Sequence, residues 1–345
     1  MIGTRIGCVG QCAAPAGAKI VNVAGKTLIP GLVDVHAHGY YEAAVQLLPQ
    51  RFTASALYLS HGVTTVLDPA VSSYGVFALA EMIEAGRMVG PRTYSTGEEQ
   101  IPQSPQTGYV DYADAGVAVR RLANLGAHSI KNFLQPRRDQ RQMIGDWGRK
   151  LGLSVTNEGA DLYYNVSAAL DGHTGFEHPM HYMTMYRDAS QFFARTRAVY
   201  SPTLMVAGGG LWSEDYYESH SDLWNNAKLR RFLPWTELIR HTTSAVRPKS
   251  DYTFPFLAEA VKDIREAGGY AAIGGHGELW GLDSHWELWS YAEAQSPMQV
   301  LQMGSLGGAR MLGLETETGS IATGKLADIV ILNSNPLYGD RKSVV

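Results

Sequence analysis

The stretch PGLVDVHAHG, residues 30–39, places two histidines two positions apart, at the end of an apolar run and just before a glycine. On a β-strand, residues i and i+2 point to the same side. His36 and His38 are therefore predicted to project together from the end of a strand. Two imidazoles held side by side can bind one metal ion. A hydrogen-bonded surface pair is the alternative that this short motif favours when it is taken alone.

The composition is that of a globular protein: 345 residues, 45% apolar and 18% charged, with a formal net charge of −4. There is no basic block or basic helix, so no nucleic-acid partner is expected. No apolar run reaches the length of a membrane span, so no membrane partner is expected either. We expect a small-molecule substrate, and a homo-oligomer stays an open alternative.

The N-terminal segment lacks the charged region and apolar core of a signal peptide. This predicts a cytoplasmic protein by default, or an exported one if the chain is a fragment of a longer protein. Cys8 and Cys12 are the two cysteines of the chain. No further cysteines accompany them, so we interpret them as incidental rather than as a metal or redox pair, and we expect no disulfide framework.

Eight short apolar runs, each leading into a polar or glycine-rich loop and separated by helical stretches, follow one another along the chain. They span residues 31–39, 62–70, 91–97, 128–136, 153–159, 175–179, 198–209 and 270–278. Alternation of strands and helices predicts a parallel sheet. Eight such units predict an α/β fold of the (β/α)8 TIM-barrel type, which closes as one domain.

The ends of the chain carry further β-like segments. We predict that residues 1–29 form the N-terminal part of a small side domain, that 30–315 form the barrel, and that 316–345 return to the side domain. Residues 210–252 form a longer insertion, which either covers the barrel mouth or is a plain surface excursion.

The carboxyl ends of barrel strands converge on one site, and metal-ligand residue types recur there. The candidate metal ligands are His36, His38, Lys131, Glu158 and His178, and the candidate catalytic residues are His276 and Glu158. Nitrogen and oxygen donors from several strands at one rim are what a zinc-like site requires.

Individual members carry alternatives. Lys131 either pairs with an acid or is carbamylated by CO2 into a bridging carboxylate, a reaction that needs the neutral amine. Glu177 and His178 are successive strand residues, so one should face the barrel interior and the other the helices, and we expect His178 inside. Asp68 is expected only to orient a neighbour.

Substrate contacts are less well determined. Arg137 could hold a substrate carboxylate through a forked pair of hydrogen bonds, although a solvated loop arginine is the simpler interpretation. Tyr200 and His181 are further candidates near the strand ends, where aromatic side chains could line an apolar pocket.

At this point the residues resemble the amidohydrolase superfamily, and more narrowly the imidazolonepropionase-like amidohydrolases, including a subgroup fused to Tol-Pal-type β-propellers. The matching segments are KTLIPGLVDVHAHG (26–39), IKNFLQPRRDQRQ (130–142), DGHTGFEHPMHY (171–182), GGHGELWGLDSHWELW (274–289) and GSIATGKLADIVIL (319–332). Together they cover about residues 5–337.

The resemblance implies a barrel with a β-sandwich built from both termini, here short and possibly truncated, and one or two divalent metal ions, usually zinc. It carries the ligand role to His36, His38, His178 and a carbamylated Lys131. Two departures stand out. Glu158 lies where the superfamily usually has a histidine, and His276 lies where it usually has an aspartate.

The expected function is hydrolysis of an amide, cyclic amide or dipeptide-like C–N bond by a metal-activated hydroxide. His276 is the first candidate for the proton acceptor, because an unperturbed imidazole titrates near neutral pH, and Glu158 is the second. Deamination or lactone hydrolysis on the same scaffold is one alternative. A metal-binding barrel that has lost turnover is the other.

Overall fold

A computed structural model describes residues 1–39, 52–101, 108–159, 161–180, 184–208 and 211–338. The strands are β1 Thr27–Pro30, β2 Leu32–Asp34, β3 Val63–Asp68, β4 Arg92–Ser95, β5 Ser129–Asn132, β6 Ser154–Glu158, β7 Gly175–Glu177, β8 Val199–Ser201, β9 Tyr270–Ala271 and β10 Ile329–Leu332.

The helices are α1 Thr53–Ser60, α2 Ser73–Glu84, α3 Tyr112–Leu125, α4 Arg138–Leu151, α5 Leu162–Leu170, α6 Arg187–Thr196, α7 Ser213–Ser219, α8 Ala227–Phe232, α9 Trp235–Leu238, α10 Phe254–Glu266, α11 Leu282–Tyr291, α12 Pro297–Gln302 and α13 Gly308–Met311. A π-helical turn, Met303–Gly307, joins the last two.

Strands β2 to β9 follow one another in parallel, and each lies within one of the eight predicted runs. They form two sheets, β2-β3-β4 and β5-β6-β7-β8-β9. Parallel bridges join these sheets on both sides, between Gln100 and Asn132 and between Asp34 and Ile273. The backbone N–H of Val35 donates to the carbonyl oxygen of Ile273 at 3.1 Å. The strands therefore form a closed ring, and the prediction of a (β/α)8 barrel is confirmed.

The helices begin and end at residues whose chemistry explains their positions. The Asp111 carboxylate accepts hydrogen bonds from the backbone N–H groups of Ala113 and Asp114, which are free at the start of α3. Gly126 and Gly152 end α3 and α4 in the left-handed region, with φ of 106° and 71°. Glycine has no Cβ and adopts this conformation without steric cost.

Both ends of the chain meet in a small antiparallel pair beside the barrel. Strand β1 pairs with β10, so that Thr27 lies opposite Leu332. Nearer the N-terminus, the backbone N–H of Ile6 donates to the carbonyl oxygen of Lys325 at 2.8 Å. The side element is thus built from both termini, as predicted. The division at residues 29/30 and 315/316 stays a prediction.

Two expectations about the wider molecule can be compared with the structure. Cys8 and Cys12 are joined by a disulfide bond. Our interpretation of them as incidental was therefore wrong, because four residues of separation suffice to bring the two sulfur atoms together. As for membrane spans, no helix in the described ranges combines the length and the hydropathy that a crossing needs.

Side-chain alternation on β7 shows how the barrel separates an apolar layer from a polar interior. Phe176 is 1% exposed and packs edge-on against Phe193 of α6, with ring centroids 5.4 Å apart. Its neighbour Glu177 is fully buried and faces the other way, into the barrel. Packing of β7 against the helices therefore fixes the direction of the acidic side chain.

We expect Phe176→Ala to lower the free energy of unfolding by about 3–5 kcal/mol, because it removes a ring and leaves a cavity in the layer between β7 and α6. Urea unfolding followed by circular dichroism measures this loss. Val89→Ala is the matched control, since Val89 is 74% exposed and should change stability by no more than about 0.5 kcal/mol. Equal midpoints for the two variants would contradict the packing described.

Candidate metal centre

His36 and His38 follow β2 and lie side by side in a buried position, 1% and 9% exposed. Their Nε2 atoms are 3.0 Å apart. The backbone N–H of His36 donates to the Asp34 carboxylate at 3.0 Å. The two imidazoles are therefore held together by the local chain, on one side of the strand end as predicted.

The far sides of both rings meet carboxylates. His38 Nδ1 lies 3.1 Å from Asp68 Oδ1, so Asp68, at the end of β3, orients a neighbour as expected. This contact raises the pKa of His38 above its ordinary value, although burial alone would lower it. His36 Nδ1 lies 2.9 Å from Glu177 Oε2 but is not aligned for a hydrogen bond. Burial holds the pKa of His36 well below its usual range, and the neighbouring His178, His38 and Lys131 lower it further.

Lys131, on β5, is almost completely buried between two acids. Its Nζ lies 2.7 Å from Glu158 Oε2 and contacts Glu177 Oε2. Burial alone would lower the pKa of Lys131, but the two carboxylates raise it above its ordinary value. Burial raises the pKa of Glu177, whereas Lys131 and His178 hold that of Glu158 below its usual range against the effect of burial. One ammonium thus faces two acids in a buried space.

His178 lies just past the end of β7 and also faces the interior. Its backbone has φ 65°, a left-handed conformation that is uncommon outside glycine. Its Nε2 is 3.3 Å from Glu158 Oε1, and burial lowers its pKa to about 3. We predicted that Glu177 would face the helices if His178 faced inward, and this was wrong. The strand ends at Glu177, and the positive φ turns His178 to the same side.

His276 follows β9 and also has a positive φ, 72°. Its Nδ1 lies 2.9 Å from Glu278 Oε1, and burial lowers its pKa. The turn that carries it is tied to α11, because Asp283 Oδ2 accepts from the backbone N–H of Gly277 at 2.8 Å and Oδ1 from that of Gly281 at 3.1 Å. The fully buried Asp283 therefore sets the position of the His276 ring.

These side chains converge on one point. Nitrogen atoms of His36, His38 and His276 all lie within 4.8 Å of one another. The rings of His36 and His178 have centroids 4.6 Å apart. Zinc–nitrogen bonds of about 2.0–2.1 Å place two such ligands on one ion at no more than about 4 Å from each other, which is close to the spacing of these nitrogen atoms.

The residues also fit a cation by charge. They combine imidazoles of low basicity, an unpaired buried nitrogen on His36 and two acids around a single ammonium. A cavity of about 330 Å3 opens on them. It is lined by His36, His38, Pro69, Ala70, Lys131, Phe133, Glu158, His178, Val206, Trp212 and His276.

The predicted substrate residues do not line the cavity where the structure describes them. Arg137 is exposed and pairs with Asp139 at the start of α4, with Nε 3.0 Å from Oδ1, so it does not line the cavity. Tyr200 is buried on β8, and its hydroxyl accepts from the backbone N–H of Met180 at 3.3 Å, which supports the segment after His178 rather than lining the cavity. His181 lies outside the described residues. Trp212, from the 210–252 insertion, does reach the cavity wall.

Glu177 is the site residue that we predicted to face away. The alternation on β7 could have revealed it, because an apolar Phe176 that faces the helices requires Glu177 to face inward. No sequence pattern around Asp283 indicated that this residue would support the site. Its contacts with the His276 turn arise only when the helix that follows folds back on the strand end.

Comparison with known proteins gives a partial sequence match and a full-length structural one. Residues 282–344 match the sequence model described as "Amidohydrolase family". No curated protein matches the chain significantly. Among solved structures, a Xaa-Pro dipeptidase with bound methionine in its active site is 18% identical, with a TM-score of 0.72 over 97% of this chain and 88% of that one.

Two further structures show the same similarity. A prolidase complexed with N-methylphosphonate-L-proline is 19% identical, with a TM-score of 0.73 over 100% of this chain and 91% of that one. The A. niger ochratoxinase is 18% identical, with a TM-score of 0.66 over 92% and 81%. The predicted resemblance to amidohydrolases is confirmed: the chain shares its fold with these hydrolases along nearly its whole length, and residues 282–344 match the amidohydrolase family in sequence. The narrower resemblance to imidazolonepropionase-like proteins and to the subgroup fused to Tol-Pal-type β-propellers stays a prediction.

Proposed function

We propose that the protein is a metal-dependent hydrolase that cleaves an amide, cyclic amide or dipeptide-like C–N bond of a small molecule. One observation carries the proposal: four imidazoles and the Glu158 carboxylate, from four barrel strands, line a single cavity at the strand ends, and the buried Glu177 carboxylate lies 2.9 Å from His36 Nδ1. Solved structures of a dipeptidase, a prolidase and an ochratoxinase, which this chain resembles in fold, support the same class of reaction.

Zinc is the proposed metal, because a site rich in imidazole nitrogen with a few carboxylate oxygens suits that ion. His36, His38 and His178 are the proposed nitrogen ligands. Glu158 supports them, since its carboxylate lies 3.3 Å from His178 Nε2 and has the lowered pKa of an ionised group. Asp68 holds the His38 ring from behind, as carboxylates commonly do for ligating histidines.

The chemical form of Lys131, ammonium or carbamate, determines how many divalent ions the charge of the site can balance. As an ammonium it leaves about one negative charge beside Glu158 and Glu177, which suits a single divalent ion. As a carbamate it contributes a third negative charge, and two divalent ions then balance the site better. The carboxylates keep the amine protonated, so we propose that lysine carbamylation and loading with a second ion occur together.

A bound divalent ion supplies an acidified water and polarises the substrate carbonyl. His276 is the proposed proton acceptor for that water and the donor to the leaving nitrogen. Glu278, 2.9 Å from its Nδ1, fixes the ring so that Nε2 is the nitrogen that exchanges the proton, and stabilises the imidazolium. Glu158 is the alternative acceptor, with two contacts already made to His178 and Lys131.

The volume and lining of the cavity limit the size and polarity of the substrate. A volume of about 330 Å3 suits a small molecule. Phe133, Val206 and Trp212 supply apolar walls beside the polar centre. A substrate with a hydrophobic group next to a hydrolysable amide therefore fits better than a fully polar one.

The proposal predicts that chelation abolishes amide hydrolysis and that Zn2+ restores it. The assay is a panel of N-acyl amino acids, dipeptides and cyclic amides, with lactones and amino-purines or -pyrimidines alongside. Turnover of the lactones or of the deaminase substrates alone would move the assignment to the alternative chemistries. Stoichiometric metal with no turnover of any member would indicate a barrel that only binds metal, and full activity in metal-free protein would refute the mechanism.

His276→Asn should lower kcat by about 10²–10⁴-fold while the metal content is kept, since proton transfer is lost but the ligands remain. His36→Asn is the matched variant and should lose metal as well as activity. Metal analysis beside steady-state kinetics distinguishes the two. If His276→Asn loses metal as completely as His36→Asn, then His276 is a ligand and the proton acceptor is another group.

Lys131 should give a carbamate signal in 13C NMR when the protein is loaded with zinc in 13C-bicarbonate. Lys131→Met should lose both the signal and at least one ion per chain, because it cannot form the lysine carbamate that would help to hold that ion. Lys150→Met serves as the control, since Lys150 is a half-exposed lysine paired with Asp146 on the surface. A fully active zinc protein without the signal would show that Lys131 acts as an ammonium.

A further inference from the structure

A second cavity, of about 560 Å3, lies beside the N-terminal ends of β2 and β3, away from the histidine centre at their other ends. One wall is apolar and comes from the helices after the barrel and from β10. It includes Leu288, Trp289, Val300, Val330 and Leu332. Nothing in the proposed chemistry uses this space.

The polar side of this cavity has no acidic side chain among the described residues. It includes Ser60, His61, Lys228 and His285, and Gln295, Asn333 and Ser334 also line the cavity. Lys228, on α8, is half-buried, and its ammonium has no hydrogen-bond or ion-pair partner among the described residues. Burial lowers its pKa, and no acidic side chain in the described part of the chain offsets this.

His61 is more deeply buried, at 3% exposure. Its Nδ1 lies 2.9 Å from the carbonyl oxygen of Leu57, while its buried Nε2 has no partner within the described ranges. His285 lies close by, with its ring centroid 6.1 Å from that of His61 and its Nε2 2.7 Å from the His61 carbonyl oxygen. Burial lowers the pKa of His61 to about 3 and that of His285 to about 4. The polar side thus holds one ammonium, that of Lys228, beside two neutral imidazoles.

Such an arrangement is costly for a purely structural role. An ammonium that is partly removed from water without a counter-charge loses hydration and regains nothing. A buried nitrogen without a partner adds a further cost. An anion on the polar side supplies the missing counter-charge for the ammonium, and the apolar wall offers a place for a hydrocarbon chain.

We propose that this cavity binds a small amphipathic carboxylate, such as a medium-chain fatty acid. The carboxylate accepts from the Lys228 ammonium and lies beside the buried imidazoles of His61 and His285. The alkyl chain lies against Leu288, Trp289 and Val330. The site is independent of the metal centre, so its occupancy does not depend on the proposed hydrolytic function.

Calorimetric titration of the full chain with octanoate and with 1-octanol tests the proposal. Metal-free protein is used, so that carboxylate binding to a metal ion is excluded. We expect one octanoate per chain and at least tenfold weaker binding of the alcohol, because the two ligands differ only in the charged group. Equal binding of both would show a hydrophobic cavity without anion recognition, and no saturable binding of octanoate would overturn the proposal.

Lys228→Met keeps the aliphatic stem and removes the charge, so it should weaken octanoate binding at least tenfold and leave octanol binding unchanged. Arg230→Met is the matched control, since Arg230 is exposed on the same helix and should bind octanoate like the unaltered protein. Thermal unfolding of both variants without ligand checks that they are folded. If Lys228→Met is folded and binds octanoate as well as Arg230→Met does, Lys228 does not recognise the anion.

Discussion

Two of the backbone hydrogen bonds that join the first and last strands of the barrel connect the same residues that carry the clustered imidazoles. The N–H of His276 donates to the carbonyl oxygen of His36 at 2.7 Å, and the N–H of His38 donates to that of His276 at 2.8 Å. The ring of strands and the nitrogen cluster therefore form together. Any change that opens this junction between the first and last strands also separates the proposed ligands from the proposed proton acceptor.

Buried acids hold the chain segments at this junction in place through hydrogen bonds. Asp34 accepts from Ser284 Oγ at 2.5 Å and from the backbone N–H of Gly275, which is 241 positions away. Burial raises the pKa of Asp34 to about 6, and that of Asp283 well above its ordinary value. Gly277 has φ 101°, and a Cβ there would lie 1.7 Å from the His38 carbonyl oxygen. The turn that directs His276 thus requires a glycine held by a buried carboxylate.

Each cavity contains buried charge that is not fully balanced, negative at the strand ends and positive in the second cavity. At the strand ends, Glu158 and Glu177 outnumber the single ammonium of Lys131, and the surrounding imidazoles are mostly neutral because burial lowers their pKa. That environment favours cations. Beside the N-terminal ends of β2 and β3, Lys228 is half-buried with no acid beside it in the part of the chain that the structure describes, which favours an anion. In both places the uncompensated buried charge, rather than the shape alone, indicates the class of ligand.

The sequence by itself determined the elements and the positions where they end. Apolar runs alternating with helical stretches predicted the eight strands, and the two-residue spacing predicted that His36 and His38 share a side, because strand periodicity is a local property of the chain. The convergence of Lys131, Glu158 and His276 on the same rim followed from the barrel fold. These inferences needed no knowledge of side-chain contacts.

Only the tertiary structure decided which side chains face the cavity. Glu177 and His178 both face the barrel interior, and His178 lines the cavity, because the strand stops between them and the backbone turns to φ 65°. Arg137 pairs with Asp139 at the surface, and the packing of α8 beside α1 places Lys228 where no described acid contacts it. Such outcomes depend on contacts between distant segments and on conformations past the strand ends, where the regular period that makes a sequence readable no longer applies.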